Sequence, residues 1–217
     1  ITPYYKESFE VLQQCYESVL TQTVEADHFF IADGFPRDDL KDWKIKHITL
    51  SQSHNDNGNT PRGIGSLLAE AEGYEFIAYL DADNWFHRDH LGSLIDLWET
   101  TKADVCCSFR TIHQLDGTEM SGLSDIDEHT LTHVDTSCYL LHRSAFESLS
   151  IWLKMPKKLA PICDRIFTAG LRNKNYQFAF SKPKTVAFRS QYKAHYGAKK
   201  LSFPDNLKGV AGTEEHA

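Results

Sequence analysis

The chain has 217 residues, of which 41% are apolar and 24% are charged. This composition is typical of a soluble globular protein with one α/β domain or two very small ones. Its 23 Lys and Arg against 30 Asp and Glu give a net charge of −7, which argues against a nucleic-acid partner. No apolar stretch approaches the roughly 20 residues of a membrane span, and no secretory leader pattern is visible. Five cysteines without metal or redox spacing indicate reduced thiols. We therefore expect no integral membrane segment and a cytoplasmic location, with or without peripheral attachment to a membrane.

The first hundred residues alternate between helical and extended patterns. Apolar residues at helical spacing predict a helix over 7–20, and short apolar runs predict strands over 28–32 and 45–50. Thr60 and Pro61 are typical of a helix start. The further predicted elements are a helix from Thr60 to Gly73, a central parallel strand over 76–80, a helix over 88–99 and a strand over 103–109. This alternation predicts a mostly parallel sheet with helices on both faces.

The second half of the chain has less regular patterns. After a polar stretch at 113–133 we expect strands near 136–142, 176–180 and 184–189, and helices near 144–150 and 161–172. Residues 1–197 then form one domain and 198–217 a tail without a clear pattern. No apolar run precedes Ile1-Thr2-Pro3, so either the first strand of such a sheet is missing from the sequence or the fold starts differently.

Asp81 and Asp83 directly follow the apolar run at 76–80. Ligands of open α/β sheets bind beyond the carboxyl ends of the strands, and Mg²⁺ or Mn²⁺ accepts one or two carboxylates together with substrate phosphates. The alternative is a turn and capping role before the helix over 88–99. Asp125 and Asp127 have the same spacing but follow Gly-Leu-Ser, which is typical of a solvated loop.

Two further polar residues fall near the same predicted edge. Asp33 ends the run at 28–32. Arg62 lies in the first turn of a predicted helix, where a cation is unfavourable for the helix dipole and exposed N–H groups favour anions. Arg62 is therefore either a ligand-binding residue for a phosphate or a nucleobase carbonyl, or an ordinary surface arginine.

Three residues are weaker candidates from spacing alone. Asp164 begins the helix over 161–172, where it could accept a proton from an attacking hydroxyl, although acids are favoured in that position in any helix. His195 follows the last predicted strand and could complete a metal site or contact a phosphate. Trp85 could form an apolar wall for a sugar ring or belong to the core.

The order of several short blocks resembles family 2 glycosyltransferases of the GT-A fold. The blocks are Thr2-Pro3-Tyr4-Tyr5, Glu17 to Thr23, Ile31 to Gly34, Asn59 to Gly65 and Tyr79 to Asp83. The resemblance implies a Rossmann-like three-layer α/β sandwich. It also implies an inverting, metal-dependent transferase that moves a sugar from a nucleoside-diphosphate sugar to a hydroxyl of a glycan, lipid or small-molecule acceptor. UDP is the nucleotide that the resemblance favours.

The resemblance also implies roles for particular residues. On the donor side, Thr2, Pro3 and Tyr4 match the loop after the first strand, which borders the nucleoside, Asp33 matches a residue that reads the base, and Arg62 matches an arginine that contacts base or phosphate.

At the reacting centre, Asp81 and Asp83 match the Asp-x-Asp motif, with Asp83 as the more direct ligand of Mn²⁺ or Mg²⁺. Asp164 matches the catalytic base, and His195 matches a histidine near the metal and diphosphate.

The sequence departs from the family pattern at three blocks. Ala32-Asp33 stands in place of Asp-Asp, Pro61-Arg62-Gly63 in place of Ala-Arg-Asn, and Cys163-Asp164 in place of Glu-Asp, which leaves the identity of the base open. Two alternatives stay open beside the transferase. One is an Asp-x-Asp phosphohydrolase with an Asp81 nucleophile, and the other is a non-catalytic module that binds sugar nucleotides or glycans.

Overall fold

A computed structural model of the protein describes residues 1–123, 133–205 and 207. Its strands are β1 (Thr2–Tyr4), β2 (Phe29–Ala32), β3 (Lys46–Thr49), β4 (Phe76–Ala78), β5 (Trp85–Phe86), β6 (Val105–His113), β7 (Tyr139–His142) and β8 (Phe178–Arg189). Its α-helices are α1 (Phe9–Leu20), α2 (Asn59–Ala71), α3 (His90–Thr101), α4 (Ser150–Lys154), α5 (Cys163–Asn173) and α6 (Lys193–Ala198). Short 3₁₀ helices span Asp38–Leu40, Thr136–Cys138, Arg143–Ser148 and Lys157–Ile162.

The strands form a parallel sheet in the order β1-β2-β3 and a mixed sheet in the order β4-β7-β6-β8-β5. The main-chain nitrogen of Ile1 donates to Ala78 O at 2.8 Å, and Leu80 N donates to Ile1 O at 3.1 Å. This is the hydrogen-bond pattern of parallel pairing. It joins the two sheets side by side, so that β4 lies between β1 and β7.

Strand polarity places the functional loops at one edge. The strands β1, β2 and β3 run parallel, and the links through Ile1 give β4 the same direction. Strand β7 is antiparallel to both β4 and β6, and β8 is parallel to β6. The carboxyl ends of β2, β4, β6 and β8 therefore face the same side of the molecule.

Burial explains why these segments form strands and helices. All four residues of β2 are buried, as expected for a strand covered on both faces. Helix α2 packs against α4, where Trp152 and Phe167 stack at 4.1 Å beneath Tyr79, whose hydroxyl accepts from Trp152 Nε1. All five cysteines are free thiols.

The structure confirms the α/β class and corrects several predicted elements. Residues 2–4, expected in a loop after an absent strand, themselves form β1 because they pair with Phe30, Ile31 and Ala32 of β2. The strand over 76–80 is central, but it pairs antiparallel with β7, so the second half of the sheet is mixed rather than parallel.

Smaller corrections concern element ends. Helix α2 starts at Asn59 with Gly58 as its N-cap, since the Asp56 carboxylate accepts from Thr60 N and takes the role expected of the Thr60 side chain. The two strands near 176–180 and 184–189 form one irregular strand, β8. Asp125 and Asp127 lie outside the described residues, as does most of the tail from 206 onward.

Candidate active site

The Asp81–Asn84 turn follows β4 and is held by one serine from the segment before β7. Asp81 N donates to Ser137 Oγ at 3.1 Å, and Asn84 Nδ2 donates to the same oxygen at 3.2 Å. Asn84 N also donates to Asp81 O. These contacts fix the backbone of the turn that carries both carboxylates.

Arg62 faces Asp81 across the start of α2. Its Nη2 donates to Asp81 Oδ1 at 2.6 Å, and its guanidinium lies 4.8 Å from the ring centre of Trp152. The Arg62 side chain is only 3% exposed, whereas that of Asp81 is 33% exposed. Arg62 Nε is buried without a hydrogen-bond partner. The sequence left open whether Arg62 is a surface residue, and the structure answers that it is a buried cation at the sheet edge.

Asp83 is contacted by the end of β8. Gln191 Nε2 donates to Asp83 Oδ2 at 3.0 Å, and Arg189 Nε donates to the Asp83 carbonyl at 3.0 Å. His195, on α6, lies beyond the same strand end, where its Nδ1 is 2.8 Å from Ser190 Oγ. The end of β8 therefore brings Gln191 to the Asp-x-Asp turn, and His195 follows on α6.

Asp164 is paired with a histidine that the sequence did not single out. Its Oδ2 lies 2.6 Å from His133 Nε2, and its Oδ1 accepts from Arg165 N. Burial raises the pKa of Asp164, but the hydrogen bond and charge of His133 outweigh it and leave the pKa lowered. Burial lowers the pKa of His133, and Asp164 overcomes that effect and raises it. The carboxylate is thus ionised near neutral pH, as a general base must be.

A buried ion pair lies beside this dyad. Arg110 of β6 pairs with Asp135, and their side chains are 7% and 10% exposed. Asp135 Oδ1 also accepts from Ser137 N at 2.9 Å, which connects the pair to the Asp81 turn. Sequence reasoning missed both residues, although an arginine within the apolar run of β6 is a signal that it has a buried partner.

Hydrogen bonds and a shared cavity bring these groups together. Ser137 contacts both the Asp81 turn and Asp135, and Arg110, His133 and Asp135 line one cavity. Burial raises the pKa of Asp135, and the charges of Asp81 and Asp164 raise it further while Arg110 lowers it. Burial likewise raises the pKa of Tyr192, which also experiences the charge of Asp164. Residues from β4, α5, β6 and the segments around β7 and β8 therefore meet at one edge of the sheet.

Asp33, Thr2 and Tyr4 lie on the β1–β2 side. Asp33 is buried and accepts hydrogen bonds from Ser53 Oγ and His54 N, and His54 Nδ1 lies 2.8 Å from it. Thr2 and Tyr4 are buried in the core, where their hydroxyls contact His28 Nε2 and His47 Nε2, each at 2.7 Å.

Pro3 is buried, whereas Trp85 is partly exposed. Pro3 lies beside Gly58. A Cβ atom added to Gly58 would lie 3.0 Å from Pro3 Cγ. Trp85 lies in β5 and is half-buried, with the Arg189 guanidinium 5.2 Å from its ring centre and the His113 ring at 4.7 Å. One face of Trp85 is therefore already occupied by protein.

The described residues contain no group of three or more His, Cys, Asp or Glu arranged to hold a metal ion. Such a group is not required for Mg²⁺, which proteins often hold through one or two carboxylates together with substrate phosphates. Asp81 and Asp83 are oxygen donors of the right chemistry. Arg62 donates to Asp81 and Gln191 donates to Asp83.

Comparisons with known proteins agree with this geometry. The family model for glycosyl transferase family 2 matches residues 1–160. The chain belongs to this family. No curated protein sequence matches it.

Solved structures with the same fold include a glycosyltransferase from S. aureus, TarS. The structure of TarS 1–349 in complex with UDP superposes with a TM-score of 0.68 at 12% identity, covering 92% of this chain and 62% of that chain. The complex of TarS 1–349 with UDP-GlcNAc superposes with a TM-score of 0.69 at 13% identity, covering 87% of this chain and 57% of that chain. The chain thus spans about three fifths of TarS 1–349. These comparisons confirm the predicted family and the GT-A type of fold, and they give no support to the phosphohydrolase alternative.

Among the described residues of this family 2 member, no helix is both long enough and apolar enough to cross a bilayer.

Proposed function

We propose that this chain is an inverting glycosyltransferase that uses a divalent cation and a UDP-sugar to glycosylate an acceptor hydroxyl. The observation that carries the proposal is the meeting of the Asp81–Asn84 turn, Arg62 and the Asp164–His133 pair at one edge of the sheet. Family membership supports the same conclusion, and the TarS structures with UDP and UDP-GlcNAc support UDP as the nucleotide.

The donor is held on the Asp81 side of the site. Arg62 supplies a fixed, buried cation whose charge favours a phosphate at this edge of the sheet. Asp83 and Asp81, with His195, would hold Mn²⁺ or Mg²⁺. When bound, that ion neutralises charge on the diphosphate.

The acceptor reacts on the Asp164 side. Asp164 takes the proton of the acceptor hydroxyl, and that oxygen forms a bond to the anomeric carbon. The bond from that carbon to the diphosphate oxygen breaks, and the electron pair leaves with the nucleoside diphosphate. Because attack and departure are in line, the configuration at the anomeric carbon inverts. His133 keeps the Asp164 carboxylate oriented through the contact at Oδ2.

The test is a calorimetric titration of UDP, GDP, CMP and dTDP with and without Mn²⁺, on the wild type and on Asp83→Ala. Asp96→Ala is the matched control because Asp96 is an exposed carboxylate on α3. We expect UDP binding that requires Mn²⁺ and is lost in Asp83→Ala but not in Asp96→Ala. Undiminished metal-dependent binding by Asp83→Ala would refute the assignment.

A second readout separates an enzyme from a binding module. Release of UDP from UDP-sugars, followed by NMR of the anomeric configuration, should show turnover with inversion. Nucleotide binding without any transfer or donor hydrolysis contradicts the proposed activity and identifies a non-catalytic module.

A further inference from the structure

The charges of this chain are strongly segregated along the sequence. Residues 143–200 contain thirteen Lys and Arg but only two acids, Glu147 and Asp164. Residues 1–142 contain nine Lys and Arg against 25 Asp and Glu. An excess of eleven positive charges in 58 residues of an otherwise acidic protein is far from an even distribution. Such a charge asymmetry is typical of a surface that binds an anionic partner.

The basic segment forms the Asp164 side of the active site. Its 3₁₀ helix Lys157–Ile162 leads directly into Asp164 on α5. This helix is tied to the loop before Arg62 by the bond from Asn57 Nδ2 to Ala160 O at 2.9 Å. From the other direction, Lys193 begins α6 two residues after Gln191, which contacts Asp83. Lysines therefore adjoin both the segment that carries Asp164 and the segment that contacts Asp83.

These cations are available to a partner. Lys154, Lys157, Lys158 and Lys193 are exposed. In the part of the chain that the structure describes, no carboxylate forms an ion pair with any of them. The two acids of the segment are engaged elsewhere, because Glu147 pairs with Lys174 and Asp164 pairs with His133.

The shape of the basic surface fits a polymer better than a membrane. A membrane-surface helix presents a continuous apolar face beside its lysines. Here α4 and α6 have only five and six residues, and Phe167 and Leu171 of α5 are buried in the core. The exposed apolar residues next to the lysines, Leu153 and Tyr192, are single residues on separate segments and form no continuous face. Exposed lysines on three separate short elements instead suit an extended polymer that contacts them in turn.

We infer that the acceptor is a polyanion, a polymer with repeated phosphate or carboxylate groups, which docks on the basic surface formed by Lys154, Lys157, Lys158 and Lys193. The inference rests on the proposed function, because it names the acceptor class of the same site. Electrostatic attraction would concentrate such an acceptor beside Asp164 and fix its path there. A hydroxyl close to a charged group of the polymer would then be the one that is glycosylated.

The test measures binding of fluorescent linear polyphosphate and hyaluronate in buffer without divalent cations. Neutral dextran is the control, and vesicles with 30% phosphatidylglycerol test the membrane alternative. The variant is Lys157→Glu/Lys158→Glu. The matched control is Lys41→Glu/Lys44→Glu, which makes the same change in charge at exposed lysines of the acidic half. Calorimetry of UDP with Mn²⁺ on each protein checks the donor site separately.

We expect at least one anionic polymer to bind, and its affinity to fall about tenfold or more between 50 and 200 mM salt, since counterions are released on binding. We expect Lys157→Glu/Lys158→Glu to weaken this binding about tenfold, the control to stay within about twofold, and UDP affinity to change in neither. Preference for polyphosphate or for hyaluronate identifies the charged group.

Several results would overturn the inference. They are absence of binding to both polyanions, equal loss in both double variants, binding of dextran as tight as that of the polyanions, or binding only to vesicles with 30% phosphatidylglycerol. The last would assign the surface to a membrane. If the wild type binds a polyanion but does not bind UDP, the proposed function is refuted and the basic surface stays established.

Discussion

Replacing Arg110 with methionine removes the cation that faces the buried Asp135 carboxylate. Methionine keeps an apolar side chain against Phe188, over whose ring the guanidinium lies at 4.0 Å. Since the paired side chains are only 7% and 10% exposed, solvent screens the interaction little. Removing one partner of such a pair costs about 3–5 kcal/mol, and we expect Arg110→Met to lose that much stability at pH 7.5.

The loss should depend on pH in a defined direction. The pKa of Asp135 is raised above 3.8 by burial even with Arg110 in place, so the folded state holds this proton more tightly than the unfolded state does. The contribution of Asp135 to stability is therefore greatest below 3.8 and declines as the pH rises through the folded value. Without Arg110 that value rises further. The difference between variant and wild type should then be smaller at pH 5 than at pH 7.5.

Urea unfolding followed by tryptophan fluorescence measures both quantities. Arg143→Met is the control because Arg143 is exposed, and it should change stability by less than about 0.5 kcal/mol. Arg110→Met/Asp135→Asn should be more stable than Arg110→Met, since no buried carboxylate is left unpaired. A cost below about 1 kcal/mol at pH 7.5, or a cost independent of pH, would refute the reasoning.

Three further predictions concern the same region. Asp164→Asn should reduce sugar transfer by about 10²–10⁴-fold with UDP affinity unchanged, and transfer at the wild-type rate would exclude Asp164 as the base. The pKa of His133 is raised above 6.5 and that of Asp164 is lowered below 3.8. The ion pair therefore stabilises the fold at a pH between the two folded-state pKa values, and this stabilisation is lost as the pH rises through the pKa of His133. His133→Gln should thus cost about 1 kcal/mol at pH 6 and less at pH 9, and equal unfolding midpoints of the two proteins at pH 6 would contradict this. Gly63→Ala should lower the free energy of unfolding in urea by about 1–3 kcal/mol, because the new Cβ would lie 2.7 Å from Leu153 Cγ. A variant more stable than the wild type would show that α4 moves away without cost.

The donor side of the site could be predicted because its signals are local. An apolar run followed at once by Asp81 and Asp83 indicates a strand end with carboxylates in its loop. Arg62 in the first turn of a helix stands out because the helix dipole disfavours it there. The structure brings Arg62 and Asp81 to 2.6 Å, and their roles in donor binding stay predictions.

The acceptor side could not be predicted in the same way. His133, Asp135 and Ser137 lie in a polar stretch without period. They reach the site because β7 pairs antiparallel with β4 in a register that sets Leu140 opposite Ala78. That pairing carries the residues before β7 to the carboxyl end of β4.

The sequence by itself determined the α/β class, the position of the Asp-x-Asp turn and the segregation of charge, because each depends on residues close together in the chain. Only the tertiary structure decided that Thr2 and Tyr4 point into the core, and that Asp164 meets His133, 31 residues away. Such contacts depend on strand register and on which faces of the elements pack together. Register and packing are settled by the burial of the whole chain and not by any local pattern.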